Sequence, residues 1–155
     1  MTAASCYLFR SLSEEKLKAI RAVSRPQTAA EGEWLFHKAD YAEFIYLVED
    51  GAIELLMPVD PDIEIPVALI RPGNGCVGVG ALVEPYVYTL SARCKVETHL
   101  TVIAAADLHR LFQEDPEFAA TVMTNLSQRL LERLRETREE IKIHFVNLIQ
   151  SATFP

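Results

Sequence analysis

Apolar residues follow two different periods along this chain. Between Gly32 and Ala104 they come in short aromatic and β-branched runs: Trp34 to Phe36, Phe44 to Val48, Ile53 to Leu56, Ile63 to Ile70, Thr89 to Val96 and Thr98 to Ala104. Runs of that length at spacings of about ten residues predict six to eight short strands, the pattern of an all-β barrel or sandwich. Asp50-Gly51 lies between two of the runs and predicts a hairpin there, because such a turn needs positive φ at its centre. Pro66 assigns its strand to a sheet edge or a bulge, where a missing N–H is tolerated.

Helical spacing brackets this β region. Ser11-Leu12-Ser13-Glu14-Glu15 opens a helix with a capping serine and acidic first-turn residues, Leu17, Ile20 and Val23 continue its stripe, and Pro26 stops it. Asp107 caps a short turn through Leu108, Leu111 and Phe112, and Asp115-Pro116-Glu117 begins a second helix. From Pro116 to about Gln150 there is neither Gly nor Pro, which predicts ~35 residues and ~52 Å of helix. Its apolar positions are Met123, Leu126, Leu130, Leu134, Ile141, Phe145 and Leu148, with Thr137 in the one gap. The resulting steps of three and four sum to an eleven-residue repeat, so the stripe stays nearly straight or winds slightly right-handed. A domain of this size has too little body to cover such a helix. The expected cover is the same helix of a second copy, with Met123, Leu126, Leu130, Leu134 and Ile141 in the seam. The alternative is that the segment from Ile143 to Phe154 breaks off and folds back on the β body.

Composition narrows the function more than the fold. The chain has 155 residues, a net charge of −7 and a pI near 5.1. That length fits one domain with a core of its own. The acidity argues against the whole chain binding nucleic acid, which requires a cationic face. The five basic and four acidic residues from Arg129 to Lys142 interleave at helical spacing, the signature of an ion-paired solvated face. Cys6, Cys76 and Cys94 are too few and too scattered for a disulfide framework or a zinc ribbon. Cys76 reads either as a redox sensor or as a buried thiol, and the burial preference of cysteine favours the second. The N-terminal residues lack the pattern of a secretory signal, and no apolar run reaches the ~18 residues of a membrane span, so a cytoplasmic location is expected.

The remaining chemistry sits between Arg71 and Arg93. Four of the six glycines, Gly73, Gly75, Gly78 and Gly80, fall there, followed by Ala81 and Leu82 as one short helical turn. Glycines in that density mark backbone at positive φ or in close approach, either an anion cradle or a tight turn between strands. Glu84 is the one charged residue between Pro72 and Ala92, so the segment brings no cation of its own.

The segments LFRSLSEEKLKAI, EGEWLFHKAD, EFIYLVEDGAIEL, ALIRPGNGCVGVGAL and SARCKVETHLTVIAAADLHRLFQEDPEF, in this order, resemble the cyclic nucleotide-binding domain. More narrowly, they resemble the sensor half of regulators related to the catabolite activator protein, the Crp/Fnr group. The resemblance runs from about Tyr7 to Glu139. It implies a mainly β fold with α: a double-stranded β-helix (jelly roll or β-roll) over residues 1–115, a short N-terminal helix, and a long C-terminal dimerisation helix with its tail over 116–155. It implies a non-enzymatic, ligand-sensing role, with no cofactor, no metal and no membrane, and a homodimer as the expected assembly. The ligand-contact positions implied are Gly78, Val79, Gly80, Ala81, Leu82, Tyr88 and Thr89.

At those positions the chain departs from the family pattern. Nucleotide-binding members place a Glu after the cassette glycine to hold the ribose hydroxyl; here Val79 follows Gly78. They place an Arg and then Ser or Thr about ten residues on, for the cyclic phosphate; here Tyr88 precedes Thr89. Base-contacting hydroxyls would fall near Arg133 and Leu134, and neither residue supplies one. A hydrogen bond to a charged group contributes roughly 1.5–3 kcal/mol, so losing cation and acceptor together costs about 10²- to 10⁴-fold in affinity. Weak or no binding of cAMP and cGMP is expected, with Arg93 or a helix arginine as the candidate substitute cation and Tyr86 and Tyr88 either filling the space or lining a more apolar pocket. The family's DNA-reading helix-turn-helix normally follows the long helix. With the chain ending at Pro155, no such unit and no DNA binding by this chain alone are expected, which fits a truncated regulator or a stand-alone module.

Two other classes compete. A cupin-like metal enzyme would need paired histidines, and Glu97-x-His99 is the nearest approach. An iron–sulfur sensor needs about four thiolates, and the chain has three cysteines; a haem needs a single His or Cys. A structural dimer with a vestigial pocket is the third alternative.

Overall fold

The structure, a computed structural model, describes residues 5–73 and 75–153. Eight strands form two four-stranded sheets, antiparallel throughout. They are β1 (Ser24–Ala29), β2 (Trp34–Phe36), β3 (Phe44–Asp50), β4 (Ile53–Asp60), β5 (Ile63–Ile70), β6 (Cys76–Val77), β7 (Ser91–Cys94) and β8 (Thr98–Ala104). One sheet has the order β1-β8-β3-β6 and the other β2-β7-β4-β5. Apart from the β4–β5 hairpin, successive strands switch sheet, which winds the chain into the β-roll that the resemblance implied. Helix α1 (Glu14–Ala22) precedes the roll; α2 (Ala105–Glu114) and α3 (Pro116–Thr153) follow it. The core holds Ile45, Leu47, Ile53, Leu100 and Ile103 from the strands, with both faces of β3 buried, and Ile20, Leu108 and Leu126 from the helices.

Three expectations are corrected. Asp50-Gly51 does not close a hairpin: β3 pairs with β6 and β8, whereas β4 pairs with β5 and β7. Gly51 still takes positive φ (94°), but to carry the chain from one sheet to the other; a Cβ there would lie 2.6 Å from the Glu97 carbonyl oxygen. Pro26 ends α1 only indirectly, because β1 runs straight through it as an edge strand. Asp107 lies in the first turn of α2 rather than at its cap, which is Ala104. The reading of Pro66 holds, since β5 is an edge strand whose register shifts beside that residue. Ser13 caps α1 by accepting from the Lys16 amide (3.4 Å), and Asp115 accepts from the Phe118 amide (3.1 Å) at the start of α3.

Helix α3 is continuous over 38 residues and does not fold back. The final two residues of the predicted tail, 154 and 155, lie outside the described residues. The apolar stripe of α3 divides in two. Leu126 is 2% exposed in the chain's own core and Met123 packs against that core, so the body of the protein already covers them. From there on the stripe has no cover within the chain: Leu130 is 52% exposed, Leu134 45% and Ile141 49%. The interleaved charges pair along the helix, Arg129 with Glu132 (3.2 Å), Arg133 with Glu136 (3.3 Å) and Lys142 with Glu139 (3.5 Å).

One polar side chain joins α3 to the N-terminus. Asn125 is buried and its Nδ2 donates to the carbonyls of Leu8 (3.0 Å), within the buried 3₁₀ turn Tyr7–Phe9, and of Arg10 (2.9 Å), just after it. Asn125→Ala removes both bonds and leaves the Leu8 carbonyl unpaired in a dry site. Chemical denaturation is expected to show a loss of about 2–3 kcal/mol.

Candidate functional site

The Gly-rich segment folds as its composition requires. Gly78 is left-handed (φ 89°), and a Cβ there would meet the Phe44 carbonyl oxygen at 2.6 Å. Gly80 packs its Cα against the Val87 carbonyl, leaving no room for a side chain. Between and beyond them Val79–Leu82 forms the expected single 3₁₀ turn, with Ala81 and Leu82 buried. His109 on α2 donates from Nε2 to the Ala81 carbonyl (2.9 Å), tying this turn to the helices.

The turn borders a cavity of about 100 Å³ lined mainly by Phe36, Leu55, Cys76, Val77, Val79 and Tyr88. Gly78, Gly80 and Thr89 complete that wall with Leu90, so among the described residues no charged side chain lines it. Of the seven predicted contact positions, the structure gathers Gly78, Val79, Gly80, Tyr88 and Thr89 at the cavity; Ala81 and Leu82 turn into the core behind it. Thr89 is exposed.

Tyr88 fixes the character of this site. It is 4% exposed, stacks on Phe36 with ring centroids 3.7 Å apart, and sits within the hydrophobic core. Its hydroxyl donates to the Phe44 carbonyl (2.9 Å) and accepts from the Phe44 amide (3.1 Å). Burial raises its pKa, so it stays a neutral phenol. Of the two expectations for Tyr88, filling the space or lining an apolar pocket, the structure shows features of both: the ring is buried on Phe36 and also borders the small cavity.

Arg93 supplies no replacement charge. Its guanidinium donates to Glu54 Oε2 (2.9 Å) and lies over the Trp34 ring at 5.1 Å, away from the cavity wall. Arg93, with Lys95 beside it, holds the Glu54 carboxyl below the usual carboxylate range. On the helix, Arg133 is committed to Glu136.

With the geometry in place, comparison with known proteins is decisive. A family model described as the cyclic nucleotide-binding domain matches residues 26–115. The chain belongs to the cyclic nucleotide-binding domain family. Among solved structures, this domain is 26% identical to the N-terminal domain of a transcriptional regulator from Streptomyces coelicolor A3(2), covering 91% of this chain and 95% of that one (TM-score 0.70). It is also 26% identical to the catabolite activator protein of Thermus thermophilus, covering 88% of this chain and 62% of the longer protein (TM-score 0.72). The sensor domain of the transcriptional regulator DNR from Pseudomonas aeruginosa shares its fold at 21% identity (TM-score 0.69, 86% of this chain and 89% of that one). No curated protein matches. The resemblance to Crp-like regulators seen in the sequence is therefore correct.

His99, the histidine nearest a metal-ligand pairing in the sequence, is engaged by its neighbours. His99 Nδ1 bonds Thr28 Oγ1 (2.9 Å), and its Nε2 lies 4.0 Å from Glu97 on an exposed face. Among the described residues no group of three His, Cys, Asp or Glu is placed to hold a metal ion, and no helix is long and apolar enough to cross a membrane.

Proposed function

We infer that this cyclic nucleotide-binding domain is a non-enzymatic regulatory module that binds cAMP and cGMP weakly or not at all and pairs with a second copy through α3. In this reading residues 1–115 form the sensor body and residues 116–155 belong to the same unit as its dimerisation arm, with no DNA binding by the chain alone. The observation that carries the reading is the cavity beside the Gly78–Leu82 turn: apolar, about 100 Å³, with the buried Tyr88 in its wall at the sequence position where the resemblance implies a phosphate cation. Ligand sites of drug-sized molecules run from roughly 300 to 1,000 Å³. A dianionic or anionic phosphate placed against this wall would give up its hydration with no charge in return.

The open stripe on α3 supports pairing, and the paired charges along the same helix support a solvated flank rather than a nucleic-acid face. A second reading, a structural dimer with a vestigial pocket, is favoured by the degree to which Tyr88 closes the site. Thermal unfolding against a small-molecule panel separates the two. A ligand selective for the folded state at 100 times its Kd adds about 2.7 kcal/mol of stability. Millimolar cAMP or cGMP is expected to leave Tm unchanged. Compounds from an apolar panel that raise it by several degrees identify a sensor; a panel with no such compound identifies the structural module.

A further inference from the structure

The Val79–Leu82 turn borders two cavities. Val79 and Gly80 line the small one described above, and Ala81 lines another, of about 260 Å³. The larger cavity lies where the segment leading into β3, the end of β8 and the first turn of α2 meet. Its space exists because the side chains there are small: Ala42, Ala104, Ala105 and Ala106 line it together with Ala81. Tyr41 and Phe44 add aromatic surface, and Tyr41 is 66% exposed. The neighbouring Tyr86 holds a left-handed backbone (φ 58°), and its ring rests edge-on against His109 with centroids 5.2 Å apart. Backbone strain at a bulky residue collects at ligand sites more than elsewhere.

We propose that this alanine-lined cavity is a binding site for a small neutral aromatic molecule that carries a hydrogen-bond donor, of the phenol or indole class. Size sets the first limit. An apolar cavity of about 150 Å³ already takes up benzene, so 260 Å³ holds one ring or two fused rings. The polar groups set the second. Glu43 is the one charged side chain in the lining among the described residues, and a carboxylate only accepts. His109 spends its Nε2–H on the Ala81 carbonyl (2.9 Å), which leaves Nδ1 of the neutral ring as an acceptor too. A ligand that satisfies this lining therefore donates. Charge sets the third limit. Glu43 opposes an anion, while the Arg25 guanidinium over the Phe44 ring (5.3 Å) and the positive end of α2 oppose a cation. What remains is a neutral ring with an O–H or N–H. Seated there, it touches Ala81 and so the turn that also walls the smaller cavity. The site is distinct from that cavity, and it stands whether or not nucleotides bind there and whether or not α3 pairs.

The test titrates indole into the full chain labelled with nitrogen-15 and follows the backbone amide resonances. Saturable shifts with a Kd of roughly 0.1–1 mM are expected, centred on Ala42, Ala81 and the three alanines from Ala104 to Ala106. 1-Methylindole keeps the rings and loses the donor, and it should bind about 3- to 10-fold more weakly. Ala106→Leu places a larger side chain in the space at an exposed helical position, where leucine is a good helix former. That variant should keep the wild-type Tm and bind indole at least about 10-fold more weakly. Should it fail to fold, the shift map of the wild type decides the matter by itself. No saturable shift up to about 10 mM indole, shifts centred instead on Tyr88 and Leu90, or 1-methylindole binding as well as indole would each overturn the proposal. So would a folded Ala106→Leu protein with unchanged affinity, or benzylamine, a cation at neutral pH, binding more tightly than indole.

Discussion

Replacing Leu130 and Leu134 together by glutamate is expected to convert a two-fold dimer into a monomer without unfolding it. Both side chains stand about half exposed on the isolated chain, 52% and 45%, so neither contributes much to the fold of a single copy. Surface changes of that kind usually alter stability by less than about 0.5 kcal/mol. In a seam between two α3 helices the same positions would be covered, each leucine contributing roughly 1.5–3 kcal/mol by burial, and there are two per chain. Glutamates in their place would bring four carboxylates together in a dry interface. A weakening of about 10³-fold or more is expected, against an unchanged melting temperature at low concentration. Sedimentation equilibrium reads the first quantity and circular dichroism the second. Leu126→Glu is the contrasting variant. Leu126 is 2% exposed within the core, and a buried unpaired charge there is expected to abolish folding rather than pairing.

Tyr88→Ala is expected to destabilise the domain by about 3–5 kcal/mol, a large share of the 5–15 kcal/mol that holds a typical domain together. The loss has two separable parts. Tyr88→Phe keeps the stacking on Phe36 and removes the hydroxyl that both donates to and accepts from Phe44. That variant alone should lose about 1–3 kcal/mol, because the Phe44 amide and carbonyl are left facing an apolar ring. The remainder is ring volume. Urea denaturation of the two variants separates the parts. The Tyr88→Ala cavity should also take up a small apolar probe such as benzene, as emptied apolar cavities do. A Tyr88→Ala protein as stable as the wild type would show that the ring is not part of the core.

Much of this fold was legible because its signals are local. A capping serine before Glu14, a strand-length run from Phe44 to Val48 and an uninterrupted helical stretch after Pro116 each act over a few residues. What failed was the assignment of strands to sheets. Asp50-Gly51 carries a hairpin signature, and the turn does occur, but whether the two flanking strands pair depends on β6, β7 and β8, far along the chain. Likewise Pro26 reads as a stop because its ring removes a donor, yet at a sheet edge no donor is needed and β1 passes through it. The α3 stripe looks uniform from Met123 to Ile141, and only the position of the body reveals that its cover within the chain ends after Leu126.

The site was legible by what it lacks. Val79 and Tyr88, at positions where the resemblance implies a carboxylate and a guanidinium, carry the expectation of weak nucleotide binding. The direction in which Tyr88 points was beyond the sequence, since it depends on Phe36 and Phe44 from two different sheets. The same holds for Arg93, whose carboxylate partner Glu54 lies 39 positions away.

Isothermal titration calorimetry of cAMP and cGMP into the purified full chain tests the account most directly. No saturable heat is expected up to about 1 mM nucleotide, because among the described residues the wall of the cavity beside the Gly78–Leu82 turn carries neither a cation for the phosphate nor a carboxylate for the ribose. Binding of either nucleotide at micromolar concentration would contradict it, for the site would then hold a charge that the geometry around Tyr88 leaves no place for.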